Sequence, residues 1–162
     1  MRRISVVILI AVGFVLGSLS LGAATASNSE RANDNGDTIR VTAVSDQSEE
    51  IDARPKGLSV GDYLAFSDDL YEGKKKDGDS VGQLDGVCHV SNVDGDDYRA
   101  VCSVVATLDD EGTITHQGVF ESSEDEATFA VTGGTGDYTG ADGETEVRFV
   151  SDTRAKIKIE LD

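Results

Sequence analysis

The stretch Cys88-His89-Val90-Ser91-Asn92-Val93-Asp94-Gly95-Asp96-Asp97-Tyr98-Arg99-Ala100-Val101-Cys102 decides how this chain folds. Its centre, Asn92 to Asp97, is a turn signal, and the Asp94-Gly95 step is favoured where two antiparallel strands reverse. Gly95 is the midpoint between the two cysteines, which are the only ones in the chain. A reversal there sets Cys88 opposite Cys102 on adjacent strands. Directly opposed residues at a non-hydrogen-bonded position have Cα atoms roughly 4.5 Å apart, within reach of a disulfide. A redox-active pair usually shows a short Cys-x-x-Cys spacing, which is absent. The spacing therefore predicts one structural cross-strand disulfide, Cys88–Cys102.

Working outward, the same punctuation recurs. Strand-like segments are expected at 38–44, 61–71, 80–91, 98–108, 113–121, 127–132, 144–150 and 153–161. Polar connections separate them: 45–56, ending near the only proline, Pro55, and 72–79, which carries Lys74-Lys75-Lys76 and is expected to be an exposed loop. Acidic turns follow at 109–112 and 122–126, and a glycine turn at 133–136. Past the N-terminal apolar run, no segment has a helical apolar period. About eight short strands at this spacing predict an all-β barrel or sandwich. The 18 glycines and the absence of tryptophan agree with strands, tight turns and a core of Val, Ile, Leu and Ala.

Met1-Arg2-Arg3, an uncharged run from Ile4 to Leu21, and Ala24-Thr25-Ala26 have the basic, apolar and small-residue parts of a secretory signal. The expected organisation is a signal peptide at 1–26, a polar disordered lead-in at 27–37 and a barrel domain at 38–162. The alternative is an uncleaved membrane anchor, the one route by which a membrane would be a partner. The expected location is secreted, where a disulfide is stable.

The chain has 31 acidic and 14 basic residues, a formal charge of −17. Loss of residues 1–26 would remove Arg2 and Arg3 and no acid, giving −19. Such a charge excludes nucleic acid as a default partner, because strands of phosphate need Lys/Arg clusters. The acids are spread along the chain, which reads as a solvated coat rather than a cation site.

The stretch Ala130-Val131-Thr132-Gly133-Gly134-Thr135-Gly136-Asp137-Tyr138-Thr139-Gly140-Ala141-Asp142-Gly143 resembles the signature of the dirigent and allene oxide cyclase-like barrel superfamily. Val60-Gly61-Asp62, Ser67-Asp68-Asp69-Leu70-Tyr71, Gly86-x-Cys88 with Cys102, and Gly112-x-Ile114-x-x-x-Gly118 resemble its bacterial, exported members. The resemblance spans roughly residues 55–161. It implies an eight-stranded antiparallel β-barrel, a cavity for a small hydrophobic molecule, and a homo-trimer in many relatives. Relatives hold a reactive molecule in one shape so that one product dominates, through orientation and exclusion of water. Dirigent relatives often carry Arg before the last glycine of the motif. Asp142 stands there in this chain, and a carboxylate cannot replace a guanidinium that pairs with an anion.

The candidate catalytic residues are Asp69 and Tyr71, which share one face of a strand with Asp68 on the other. A cavity carboxylate can move a proton to or from a ligand, and a tyrosine can orient a carbonyl or stack on a ring. Asp137, Tyr138 and His116 are candidate binding residues. The competing explanation is that the acids are solvated rim and the tyrosines core. His89 and His116 would form an acid/base pair only if their strands were neighbours. Gly133–Gly136 lacks the helix and Lys-Ser/Thr of a phosphate loop, and Asp94-x-Asp96-Asp97 lacks the length and terminal Glu of a calcium loop. No metal and no cofactor is expected. The leading expectation is a secreted barrel that binds a small hydrophobic molecule and steers its cyclisation or coupling, as an isomerase- or cyclase-like or dirigent-type protein. The alternative is a noncatalytic secreted binding or structural module.

Overall fold

The computed structural model describes residues 37–53, 55–73 and 79–162. The expected signal peptide, all of the lead-in but Asp37, and the Lys74–Lys76 triplet lie outside the described residues. Eight strands follow in chain order: β1 Thr38–Ile51, β2 Tyr63–Glu72, β3 Ser80–Asp94, β4 Asp97–Leu108, β5 Gly112–Glu121, β6 Glu126–Gly134, β7 Gly143–Ser151 and β8 Arg154–Leu161. Each pairs antiparallel with its chain neighbour, and β8 closes on β1, so the sheet is a closed barrel. Closure removes both edges, which an open sheet of this size would leave unpaired. A single 3-10 turn, Gly136–Tyr138, lies between β6 and β7.

One strand differs from its sequence reading. Residues 45–51 were expected as a polar connection, but β1 runs on to Ile51, paired with β2 through a register shift between Ser45 and Gln47. Pairing partners, not local hydrophobicity, carry a strand through a polar stretch.

Cys88 pairs with Cys102 in the β3–β4 register, and the two are disulfide-bonded with Cα atoms 4.0 Å apart. Both side chains face the barrel interior, and Cys102 is 1% exposed.

The two ends of the barrel are built differently. At one end lie the β2–β3, β4–β5 and β6–β7 connections. Here the interior is filled by fully buried Leu70, Ile114 and Ile159, backed by Val41, Ala106 and Leu108. The glycine-rich segment closes this end by backbone contact with the β4–β5 turn: Thr135 N–H donates to Thr113 O at 2.9 Å and Asp137 N–H to Glu111 O at 2.8 Å. Gly112 and Gly136 have φ of 136° and 64°, and a Cβ on either would strike the other segment's backbone. The motif is thus a structural closure, as its turn reading required. The opposite end carries the β1–β2, β3–β4, β5–β6 and β7–β8 connections and, among the described residues, is open.

The disulfide closes a loop of about 15 residues, for which chain entropy gives about 3 kcal/mol. The Cys88→Ser/Cys102→Ser double variant is therefore expected to lose about that much stability in urea unfolding, with the barrel's strand signal kept in native buffer.

Candidate functional site

Strand alternation sends every second side chain into the barrel. At the open end these inward residues do not meet, and a cavity of about 310 Å³ remains. Its wall is mostly apolar: Leu64 and Phe66 from β2, Val104 from β4, Phe120 from β5, Phe129 from β6, Val147 and Phe149 from β7. Tyr98, Phe120 and Phe149 form an edge-to-face series near the mouth. Their ring centroids lie 5.9 Å apart (Tyr98–Phe120) and 5.2 Å apart (Phe120–Phe149), with interplanar angles of 63° and 70°. Phe66 and Phe129 have room because glycines stand opposite them: a Cβ at Gly86 would strike the Phe66 ring, and one at Gly118 the Phe129 ring.

A few polar groups interrupt this wall. His116 is 3% exposed and its Nδ1 is hydrogen-bonded to Thr145 Oγ1 at 2.9 Å. Its Nε2 is buried with no partner among the described residues. Burial lowers the imidazole's pKa to about 4, so the ring is neutral at neutral pH. A neutral imidazole with one nitrogen tied to a hydroxyl offers the other as a single donor or acceptor. Asp68, opposite Ser45 in the β1–β2 register, also lines the cavity. Burial raises its pKa from 3.8 to about 6, the neighbouring charges of Asp69 and Asp85 add to this, and the Ser45 hydroxyl opposes them. Near neutrality this carboxyl exchanges protons readily.

A second cavity of about 330 Å³ adjoins the first, under the β1–β2 connection. The two share Glu50, Leu64, Cys88, Tyr98 and Phe120. Asp62 holds the connection in shape, accepting the backbone N–H groups of Ala53 (2.8 Å) and Ser59 (2.7 Å).

The residues expected from sequence are distributed differently. His116 lies in the cavity wall. Asp69 and Tyr71 do not: they occupy alternate positions of β2 and lie on its outer face, the Tyr71 hydroxyl donating to Asp69 at 3.4 Å. The expected facing of this strand was one residue out of step, and Asp68 is the inward carboxylate. Asp137 and Tyr138 also lie outside the cavity, in the β6–β7 connection at the closed end. There the Tyr138 hydroxyl donates to the Glu111 carboxylate, and burial together with that charge raises its pKa. His89 and His116 are not paired. Strand β4 separates their strands, and His89 packs on Tyr63 with ring centroids 5.2 Å apart. Phe66, Phe120, Phe129, Phe149, Thr145 and Glu50 were not singled out from sequence. The inward-facing disulfide carries the signal that finds some of them, since Cys88 pairs with Leu64 and so turns the even-numbered residues of β2 inward.

Residues 39–161 match the family model of the allene oxide cyclase barrel like domain. The chain belongs to that family. Among solved structures, a pyocyanin demethylase is 32% identical, with 77% of this chain and 99% of that one covered at a TM-score of 0.68. A pterocarpan synthase dirigent protein is 18% identical, with 90% and 96% covered and a TM-score of 0.64. The Diels–Alderase AbmU from Streptomyces koyangensis is 14% identical, with 77% and 63% covered and a TM-score of 0.63. The latter two likenesses are of fold.

The raised pKa of Asp68 sets the sign of a pH effect. A folded-state pKa above the unfolded value favours folding at low pH, and that advantage is lost as pH rises from 3.8 through about 6. Asp68→Asn is therefore expected to raise the melting temperature at about pH 8 and to leave it nearly unchanged at about pH 4. Equal shifts at both pH values would show that the carboxyl is not the buried, titrating group described.

Proposed function

We propose that the barrel takes a small hydrophobic, ring-bearing molecule into its open end and holds it in one orientation, so that its cyclisation or coupling gives one product. The observation that carries this reading is the cavity itself. It is closed at one end by packed core, walled by aromatic rings, and supplied with a buried imidazole nitrogen that lacks a partner. That is the usual composition of a small-molecule site: an apolar enclosure with few convergent polar groups. The relative at 32% identity, named for demethylating pyocyanin, supports a small molecule as the ligand.

Chemically, the rings fix the plane of the ligand and exclude water. His116 Nε2 accepts from or donates to one polar atom of it, with Thr145 holding the imidazole. Asp68 gives or takes a proton close to neutral pH. Orientation of this kind is worth several orders of magnitude in rate without a strong nucleophile.

Binding is testable with neutral acridine, a flat apolar probe whose fluorescence reports its surroundings. It is expected to bind, and Phe120→Ala to weaken it about tenfold, the cost of losing one aromatic contact. Thr107→Ala, at an exposed outward position of β4 that lines neither cavity, is expected to leave acridine binding unchanged. Binding that ignores both substitutions would remove the cavity from the reading.

Export and assembly form part of the same proposal. The apolar run and Ala24-Thr25-Ala26 support cleavage after Ala26. The homo-trimer is carried over from the family resemblance, and the surface proposed for it is the exposed pair Val101 and Val119, opposed across β4 and β5 at 52% and 46% exposure between Ser103–Gln117 and the Arg99–Glu121 ion pair. Native mass spectrometry of protein collected from the producer's medium tests both. The expected species is a trimer of chains beginning at Ser27. Monomers, or chains beginning at Met1, would refute the corresponding part.

A further inference from the structure

The charges around the cavity are unequal. Among the described residues, Glu50, Asp68 and Asp152 line the main cavity against one basic side chain, Arg154. Asp52 and Asp62 line the adjoining cavity, where Asp62 is engaged by backbone N–H groups. Glu50 is exposed at the cavity mouth and lines the junction of the two cavities together with Tyr98 and Phe120. A carboxylate beside aromatic faces is the arrangement that recognises an alkylated or protonated nitrogen, since the ring quadrupole and the anion both attract positive charge. The nearness of the carboxylate to the rings also shows in Tyr98, whose pKa is raised first by burial and then by the Glu50 charge. A second and independent observation points to a ligand in the same space: the unpartnered Nε2 of His116, a residue 3% exposed. That imidazole is neutral at neutral pH and adds no positive charge to the wall.

We propose that this cavity selects cationic ring ligands, with the positive nitrogen seated where the Glu50 carboxylate meets Tyr98 and Phe120. The inference rests on the reading of the cavity as a small-molecule site and adds to it the charge class of the ligand. It places the acidic lining at odds with fatty carboxylates and other organic anions, which would have to approach Glu50, Asp152 and the outer coat together.

Three probes of one shape test it: 10-methylacridinium as the cation, acridine as the neutral form, and acridine-9-carboxylate as the anion. Each is titrated at about pH 8 by fluorescence, in low and in high salt. The cation is expected to bind about tenfold more tightly than acridine, and the carboxylate more weakly than either. Glu50→Gln is expected to abolish most of the cation's advantage while leaving acridine's affinity unchanged. The control is Glu49→Gln, which removes the same formal charge from a residue outside the cavity lining and is expected to keep the preference. If acridine binds and the cation shows no preference, or if the preference survives Glu50→Gln, the charge assignment is overturned and the small-molecule reading stands. A loss common to Glu49→Gln and Glu50→Gln would assign the effect to the overall negative field and overturn the proposal as well. Failure of all three probes to bind would overturn the small-molecule reading together with it.

Discussion

Closure of β8 onto β1 governs everything else in this structure. Once the sheet is a ring, each side chain faces either the lumen or solvent, and a strand cannot slip by one residue without exchanging its two faces. The Cys88–Cys102 bond states which face is which, because it joins two inward residues on paired strands. From that one fixed pair the registers carry the assignment round the barrel: Cys88 to Leu64, and so to Phe66 and Asp68; Cys102 to Gly118, and so to His116 and Phe120. The cavity wall is a consequence of parity.

Parity explains which parts of the chain were legible in its sequence. The hairpin around Gly95 was readable because turn chemistry, cysteine spacing and strand alternation agreed there. The glycine-rich run was readable as a turn, and its likeness to a family pointed to a barrel. The site was less readable. Alternation in Tyr63–Glu72 sets Leu64, Phe66, Asp68 and Leu70 on one face and Ala65, Ser67, Asp69 and Tyr71 on the other, so the more apolar face already pointed to Asp68 as the inward carboxylate, and the long-range pairing of Leu64 with Cys88 fixes it. Asp137 and Tyr138 were drawn toward function by the conspicuous motif around them, but the motif's glycines serve close backbone contact at the closed end. Phe120 and Phe149 are 29 residues apart in sequence and meet only when the barrel closes.

The two titrating groups in the cavity oppose each other energetically. His116, with its pKa lowered to about 4, contributes stability that is present above its ordinary value of 6.5 and is lost as pH falls toward 4. Asp68, with its pKa raised to about 6, gains as pH falls across the same interval. Between about pH 4 and 6 their effects partly offset, so the cavity holds both groups mostly neutral without either one dominating the pH dependence of folding. Each is costly to keep in an apolar wall, a cost that one hydroxyl, Thr145 for His116 and Ser45 for Asp68, offsets in part. Buried polar groups retained under such conditions are the ones to associate with a ligand.

The acidity of the chain acquires two separate meanings. On the outer face, spread carboxylates favour solubility and repel other copies of the chain. At the mouth Glu50 is exposed, and its charge is felt by Tyr98, the ring with which it lines the cavity. A diffuse negative field enriches cations around the whole molecule, but it distinguishes neither their shape nor their orientation. On the proposed reading, shape discrimination comes from the rings and orientation from His116 in the cavity wall, neither of which a charge count alone would predict.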